Sequence, residues 1–155
     1  MQYSRILKYN TLTNMIGKIR SKRFNEFLKS GNTFQVYSGN SLLFTSREEK
    51  LIPVIEYMDS FIPYKKGVVV YDRIVGNAAA LLFWTIKCRL VLSELGSKNA
   101  VRTLKSAGIK YHFNEVVDYI LNESGQDMCP MEKLSLGKTP EDFLKALRNR
   151  LGSEK

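Results

Sequence analysis

Apolar and polar positions change period several times along the chain, and each change marks an element. Alternation over Thr33–Ser38 and Ser41–Thr45, around Ser38-Gly39-Asn40, predicts a β-hairpin. Ser46 with Glu49 three residues later forms a capping box, which predicts a helix through about Asp59. Pro63 and Gly67 then lead into the apolar strand Val68–Tyr71. An alanine-rich helix is predicted over Arg73–Lys87, with Asp72 as its N-cap. Leu90–Leu95 reads as a strand broken by Gly96, and Ser97 caps a helix that Gly108 stops. Ile109–Phe113 is a fifth strand, and Glu115–Asn122 reads as helical. Near the end, Thr139 as N-cap and Pro140 at the first helical position open a helix whose Phe143, Leu144, Leu147 and Leu151 face inward.

A hairpin followed by alternating strands and helices implies an α/β domain with a five-stranded mixed sheet and helices on both faces. The crossovers at Arg73–Lys87 and Ser97–Ala107 should be parallel and right-handed. Before the hairpin, Leu12, Met15, Ile16 and Ile19, then Phe24, Phe27 and Leu28, follow a helical stripe. The domain reading is therefore a basic helical extension over 1–31 and a folded domain over 32–152.

Composition adds little to the core but much to this extension. The 155 residues suit one domain with a real core, and the net charge is +9. Residues 1–32 hold Arg5, Lys8, Lys18, Arg20, Lys22, Arg23 and Lys29 against Glu26 alone, so most of the excess sits there. That segment reads either as a solvated face or as a basic amphipathic arm for a nucleic acid or an anionic membrane surface. No apolar run is long enough to span a bilayer, and the first residues lack a signal-peptide core. Two cysteines make no disulfide framework, which points to a reducing, cytoplasmic setting.

Candidate chemistry collects where strand Val68–Tyr71 becomes helix. In open α/β sheets ligands gather at the carboxyl ends of strands, where helix N-termini present unpaired N–H groups. Asp72 serves there as N-cap or as a carboxylate for polar ligand atoms. Gly76 permits close approach of a strand or a ligand, and Asn77 could read a base edge or face water. Cys129-Pro130-Met131-Glu132 reads as a helix start, so Cys129 is either a small packed side chain or an activated thiol. Glu132 is placed to favour that helix N-terminus or to present a carboxylate to a pocket. His112 lacks a nucleophile–base signature. With no C-x-x-C and one histidine, no metal site and no cofactor are expected.

Tyr71-Asp72-x-x-Val75-Gly76-x-Ala78-Ala79-Ala80 together with Cys129-Pro130-Met131-Glu132 resembles DUF1893, a small bacterial family of unknown function. The resemblance covers about residues 32–150. It implies a cytidine-deaminase-like fold: a three-layer α/β/α sandwich with a five-stranded mixed sheet. Deaminases of that fold hold zinc with H-x-E or C-x-E and P-C-x-x-C motifs. Here neither motif is complete, so zinc-dependent deamination is not expected. The family often carries lysine where this chain has Asn77, which removes a cation from the expected pocket.

The function expected from these readings is binding of a nucleotide or related small molecule. Asp72, Gly76 and Asn77 would face Cys129 and Glu132 across one pocket. The alternatives are an enzyme with Cys129 as its thiol and Glu132 as acid–base partner, or a nucleic-acid module acting through the basic arm. Exposed apolar helices would also allow a homodimer.

Overall fold

The computed structural model describes residues 17–18 and 21–153. The expected stripe at Leu12, Met15, Ile16 and Ile19, with Arg5, Lys8 and Arg20, lies outside them. The chain divides between Gly31 and Asn32 into two compact units. In the first, residues 21–29 are helical (α1), and the Phe24 and Phe27 rings are buried and stacked 6.3 Å apart.

The second unit is built on five strands: β1 (Phe34–Ser38), β2 (Ser41–Ser46), β3 (Val68–Val75), β4 (Cys88–Ser97) and β5 (Lys110–Val117). Their order is β2-β1-β3-β4-β5, with β1 antiparallel to both neighbours and β3, β4 and β5 parallel. Five helices accompany them: α2 (Ile52–Ser60), α3 (Asn77–Thr85), α4 (Lys98–Ser106), α5 (Pro130–Ser135) and α6 (Pro140–Ser153). The α/β class and the five-stranded mixed sheet that opens with a hairpin are thus present.

The register carries the core across the sheet. Phe44, Val36, Val70, Val91 and Tyr111 lie in one cross-strand row. This row meets Val54, Tyr57 and Met58 of α2, Ala79 and Leu82 of α3, Leu104 of α4, and Phe143 and Leu147 of α6 in a single cluster. Within residues 32–153 the helices therefore gather on one face, where sequence reading placed them on both. Two successive right-handed crossovers that step the same way across a sheet put their helices on the same side. The steps β3 to β4 and β4 to β5 do so.

Three predicted boundaries move, each because strand pairing extends further than the local pattern. Ser46 ends β2 and opens no helix: its carbonyl accepts from the Thr33 N–H at 2.9 Å, and its hydroxyl accepts from the Glu48 N–H at 3.1 Å. Helix α2 starts six residues later, with Leu51 as N-cap and Pro53 in its first turn. Residues 115–117 are strand, because β4 runs on to Ser97 and pairs Leu95 with Glu115, Gly96 with Val116 and Ser97 with Val117. The remainder of the predicted Glu115–Asn122 helix is irregular, apart from a bridge between Leu121 and Met128. Asp72, finally, lies inside β3 opposite Ser93, and the N-cap of α3 is Gly76.

Gly96, read as a strand breaker, is a paired residue in β4. A Cβ there would stand 2.2 Å from Cδ2 of Phe113, whose ring covers the position. We expect Gly96→Ala to force that ring aside and to cost about 1–3 kcal/mol. Urea unfolding measures this, and a loss under about 0.5 kcal/mol would mean that the ring moves freely.

Other caps stand where the sequence places them. The Ser97 hydroxyl accepts from the Ala100 N–H at 3.0 Å at the head of α4. The Thr139 hydroxyl accepts from the Asp142 N–H at 3.1 Å at the head of α6. Both are short-range devices, and each is encoded within four residues.

Candidate functional site

Beyond the carboxyl end of β3 an open cavity of about 1020 Å³ lies between α2, α3, α5 and α6. Thr33 and four stretches form it: residues 48–53 with Ile55, the β3–α3 junction, the loop 120–124 with Cys129–Glu132, and the end of α6. Its walls are mainly apolar, with Ile55, Ala78, Ala79, Met131 and Leu147 among them. The alanines of α3 keep the helix close to its neighbours, with Ala79 and Ala80 buried in the core.

Asp72, Gly76, Cys129 and Glu132 all line this one cavity. They come together across more than 50 residues of chain. Asn77 is not among the lining residues. It is 5% exposed, and its amide nitrogen donates to the Ser135 carbonyl at 3.2 Å and hydroxyl at 3.0 Å. Its amide oxygen accepts from the Thr103 hydroxyl. The side chain expected to read a ligand thus ties α3 to α4 and α5.

Glu132 is the centre of that join. At 2% exposure, it accepts from the Asn77 N–H at 3.0 Å and the Ser97 hydroxyl at 2.7 Å through Oε1. Its Oε2 accepts from the Ile120 N–H at 2.5 Å. A carboxylate at a helix N-terminus satisfies an orphan donor and the positive end of the helix dipole. The cap of α3 is therefore supplied by a residue 55 positions away in sequence. Both oxygens of Glu132 are thus engaged in holding α3, α4 and the loop at Ile120 together. At Gly76 a Cβ would meet Ile120 Cγ1 at 3.1 Å and Glu132 Oε2 at 3.4 Å. The close approach that glycine permits is thus used by these two side chains.

Asp72 is the carboxyl group left without such partners. It shares the helix-covered row with Phe34 and Ser93, following Val68 and Val70 on the inward side of β3. Among the described residues no side-chain hydrogen bond or ion pair reaches it. Its Oδ1 receives only a long contact from the Ile74 N–H at 3.5 Å. Burial pushes its pKa from an ordinary 3.8 up to about 7, with the backbone N–H groups of Ile74 and Arg73 opposing. Local sequence gives one signal of this: a charge interrupts the inward apolar alternation of a strand.

Two of the cations at the rim are engaged. Lys50, at φ 60°, reaches Glu123 at 2.9 Å and so links the β2–α2 loop to the loop after β5. Both groups are exposed, so salt screens the pair readily. Arg73 donates through Nε to the Asn32 carbonyl at 3.0 Å and lies 3.7 Å from Glu94. Glu48 and Glu49 add further negative charge to the lining, and Arg150 lies at the α6 side.

The two thiols differ in setting. Cys129 is half-buried, lines the cavity and is the N-cap of the six-residue α5, without a side-chain cap bond. Cys88, at the first position of β4, is buried, and desolvation pushes its pKa up to about 12. His112 is exposed on β5, its Nε2 3.1 Å from Asn114 Oδ1. Among the described residues no group of three or more His, Cys, Asp or Glu could hold a metal ion. No described helix is long and apolar enough to cross a membrane.

Comparison with known proteins agrees with this architecture. The family model of a domain of unknown function, DUF1893, matches residues 23–151. The chain is similar to a solved structure of a DUF1893 family protein from Thermotoga maritima, at 29% identity and a TM-score of 0.76. That likeness covers 85% of this chain and 88% of the other. A search of curated proteins gives no match. The chain belongs to the DUF1893 family.

Proposed function

We propose that this protein binds a nucleotide or related small molecule in the cavity beyond β3, on a fold of the cytidine-deaminase-like type. The observation that carries the reading is the convergence of Asp72, Gly76, Cys129 and Glu132 on one open cavity of about 1020 Å³. Its volume and mainly apolar walls suit a drug-sized or nucleotide-sized ligand. Its position at the carboxyl end of a parallel strand is where open α/β sheets collect ligands. The five-stranded mixed sheet and the opening hairpin support the deaminase-like reading. Without an H-x-E, C-x-E or P-C-x-x-C motif, the reading includes no zinc-dependent deamination.

Cys129 provides the test, because it lines the cavity whereas Cys88 is buried with a thiol that resists ionisation. Alkylation by iodoacetamide, followed by mass spectrometry, should modify Cys129 first. Bound nucleosides or nucleotides should slow that modification and raise Tm by mass action. A panel of nucleobases, nucleosides and nucleotides that changes neither quantity would overturn the proposal.

A further inference from the structure

We infer that the ligand of this cavity is an unphosphorylated nitrogen heterocycle of the nucleobase or nucleoside class, held by adjacent N–H donors on the Asp72 carboxylate. The inference rests on the small-molecule reading above and narrows it.

Three observations point away from phosphate. At the head of α3 the Asn77 N–H already donates to Glu132 Oε1 at 3.0 Å, so a carboxylate stands where an anion would approach the helix N-terminus. The backbone at Gly76 is covered by Ile120 and Glu132, so no phosphate oxygen can replace a Cβ there. Of the three cations lining the cavity, Lys50 and Arg73 are engaged by Glu123, the Asn32 carbonyl and Glu94, and Glu48 and Glu49 oppose the charge of the third, Arg150.

Two observations point toward N–H donors. Asp72 lines the cavity with no side-chain partner among the described residues, and an ionised carboxylate can only accept. A ligand presenting two neighbouring donors would satisfy both oxygens at once, in the bidentate manner that makes such pairs selective. Around it Ile55, Ala78, Ala79 and Met131 offer apolar contact to a flat ring. A polar group at the base of an apolar pocket sets orientation, and the pocket rejects analogues that leave it unpaired.

The test is calorimetric titration of the full chain at pH 8, where the Asp72 carboxylate form prevails, with guanosine, uridine, guanosine 5′-monophosphate and inorganic phosphate. Guanosine carries a ring N–H beside an amino group, and uridine has a single ring N–H. We expect guanosine to bind at least roughly tenfold more tightly than uridine and no more weakly than its monophosphate. In Asp72→Asn, guanosine affinity should fall by roughly tenfold or more, since one acceptor becomes a donor. Circular dichroism confirms that the variant is folded. Unchanged guanosine affinity in Asp72→Asn overturns the inference. So does a monophosphate that binds at least roughly tenfold more tightly than guanosine, or competition by inorganic phosphate; either leaves the broader nucleotide reading standing. Failure of every nucleoside and nucleotide to bind overturns both.

Discussion

Glu132→Ala should lower the stability of this protein by about 3–5 kcal/mol, the largest loss we expect from one substitution. The carboxylate is buried and receives three donors: the Asn77 N–H, the Ser97 hydroxyl and the Ile120 N–H. Alanine would leave all three without their acceptor at a site 2% exposed. An unsatisfied buried donor costs about 1–3 kcal/mol, and water entering from the cavity would recover part of that. Three segments would loosen together: the head of α3, the head of α4 through Ser97, and the loop at Ile120. Glu132→Gln keeps the shape but turns an amide NH₂ toward a donor, so its loss should be smaller, about 1–3 kcal/mol. Urea unfolding of both variants gives the order. A loss below about 1 kcal/mol for alanine would show that the network is dispensable.

Asp72→Asn should act in the opposite direction, and its effect should depend on pH. The carboxyl is raised in the folded protein to about 7 from an ordinary 3.8, chiefly by burial. A raised carboxyl binds more protons folded than unfolded throughout that interval. Its contribution is therefore most favourable below about pH 4 and is lost as pH rises through about 7. At pH 8 the folded chain bears the cost of an ionised carboxylate with no side-chain partner among the described residues, which asparagine would not. The interval between the two values limits the gain to roughly 4 kcal/mol. Water in the open cavity reduces this, so we expect about 1–3 kcal/mol at pH 8. Thermal unfolding should show the variant more stable by about 2–10 °C at pH 8, converging on the parent near pH 4. A variant that is less stable at pH 8, or a gain independent of pH, would contradict this account. A residue that weakens the fold at neutral pH while lining a cavity is the usual mark of a site kept for binding.

These two carboxylates look alike in sequence, since each stands at an expected helix start. Asp leads the ranking of N-cap residues, and Asp72 follows an apolar run and precedes a helix, which locally favours a cap. β4 instead continues to Ser97 and offers β3 ladder partners through Val75. The same extension drew Glu115, Val116 and Val117 into β5. Helix α3 then begins at Asn77 with its cap drawn from α5, a contact no local pattern can encode. Gly76 and Asn77 stand out by residue type, and their neighbours are Ile120, Glu132, Ser135 and Thr103. Conformational and hydrogen-bonding constraints are visible in residue types; the identity of the satisfying partner is not.

From the chain alone one can derive the α/β class, the hairpin, the five strands and the caps at Ser97 and Thr139. All of these rest on period, on turn residues or on motifs, which act over a few positions. Tertiary structure decided where β3, β4 and β5 stop and on which face the helices of residues 32–153 lie. It also decided which carboxylate caps a helix and which is left facing the cavity. The reason is that ladder pairing and buried-donor satisfaction are settled between segments 20 to 60 residues apart. There the energy of one unpaired buried group exceeds the local preferences that a sequence displays.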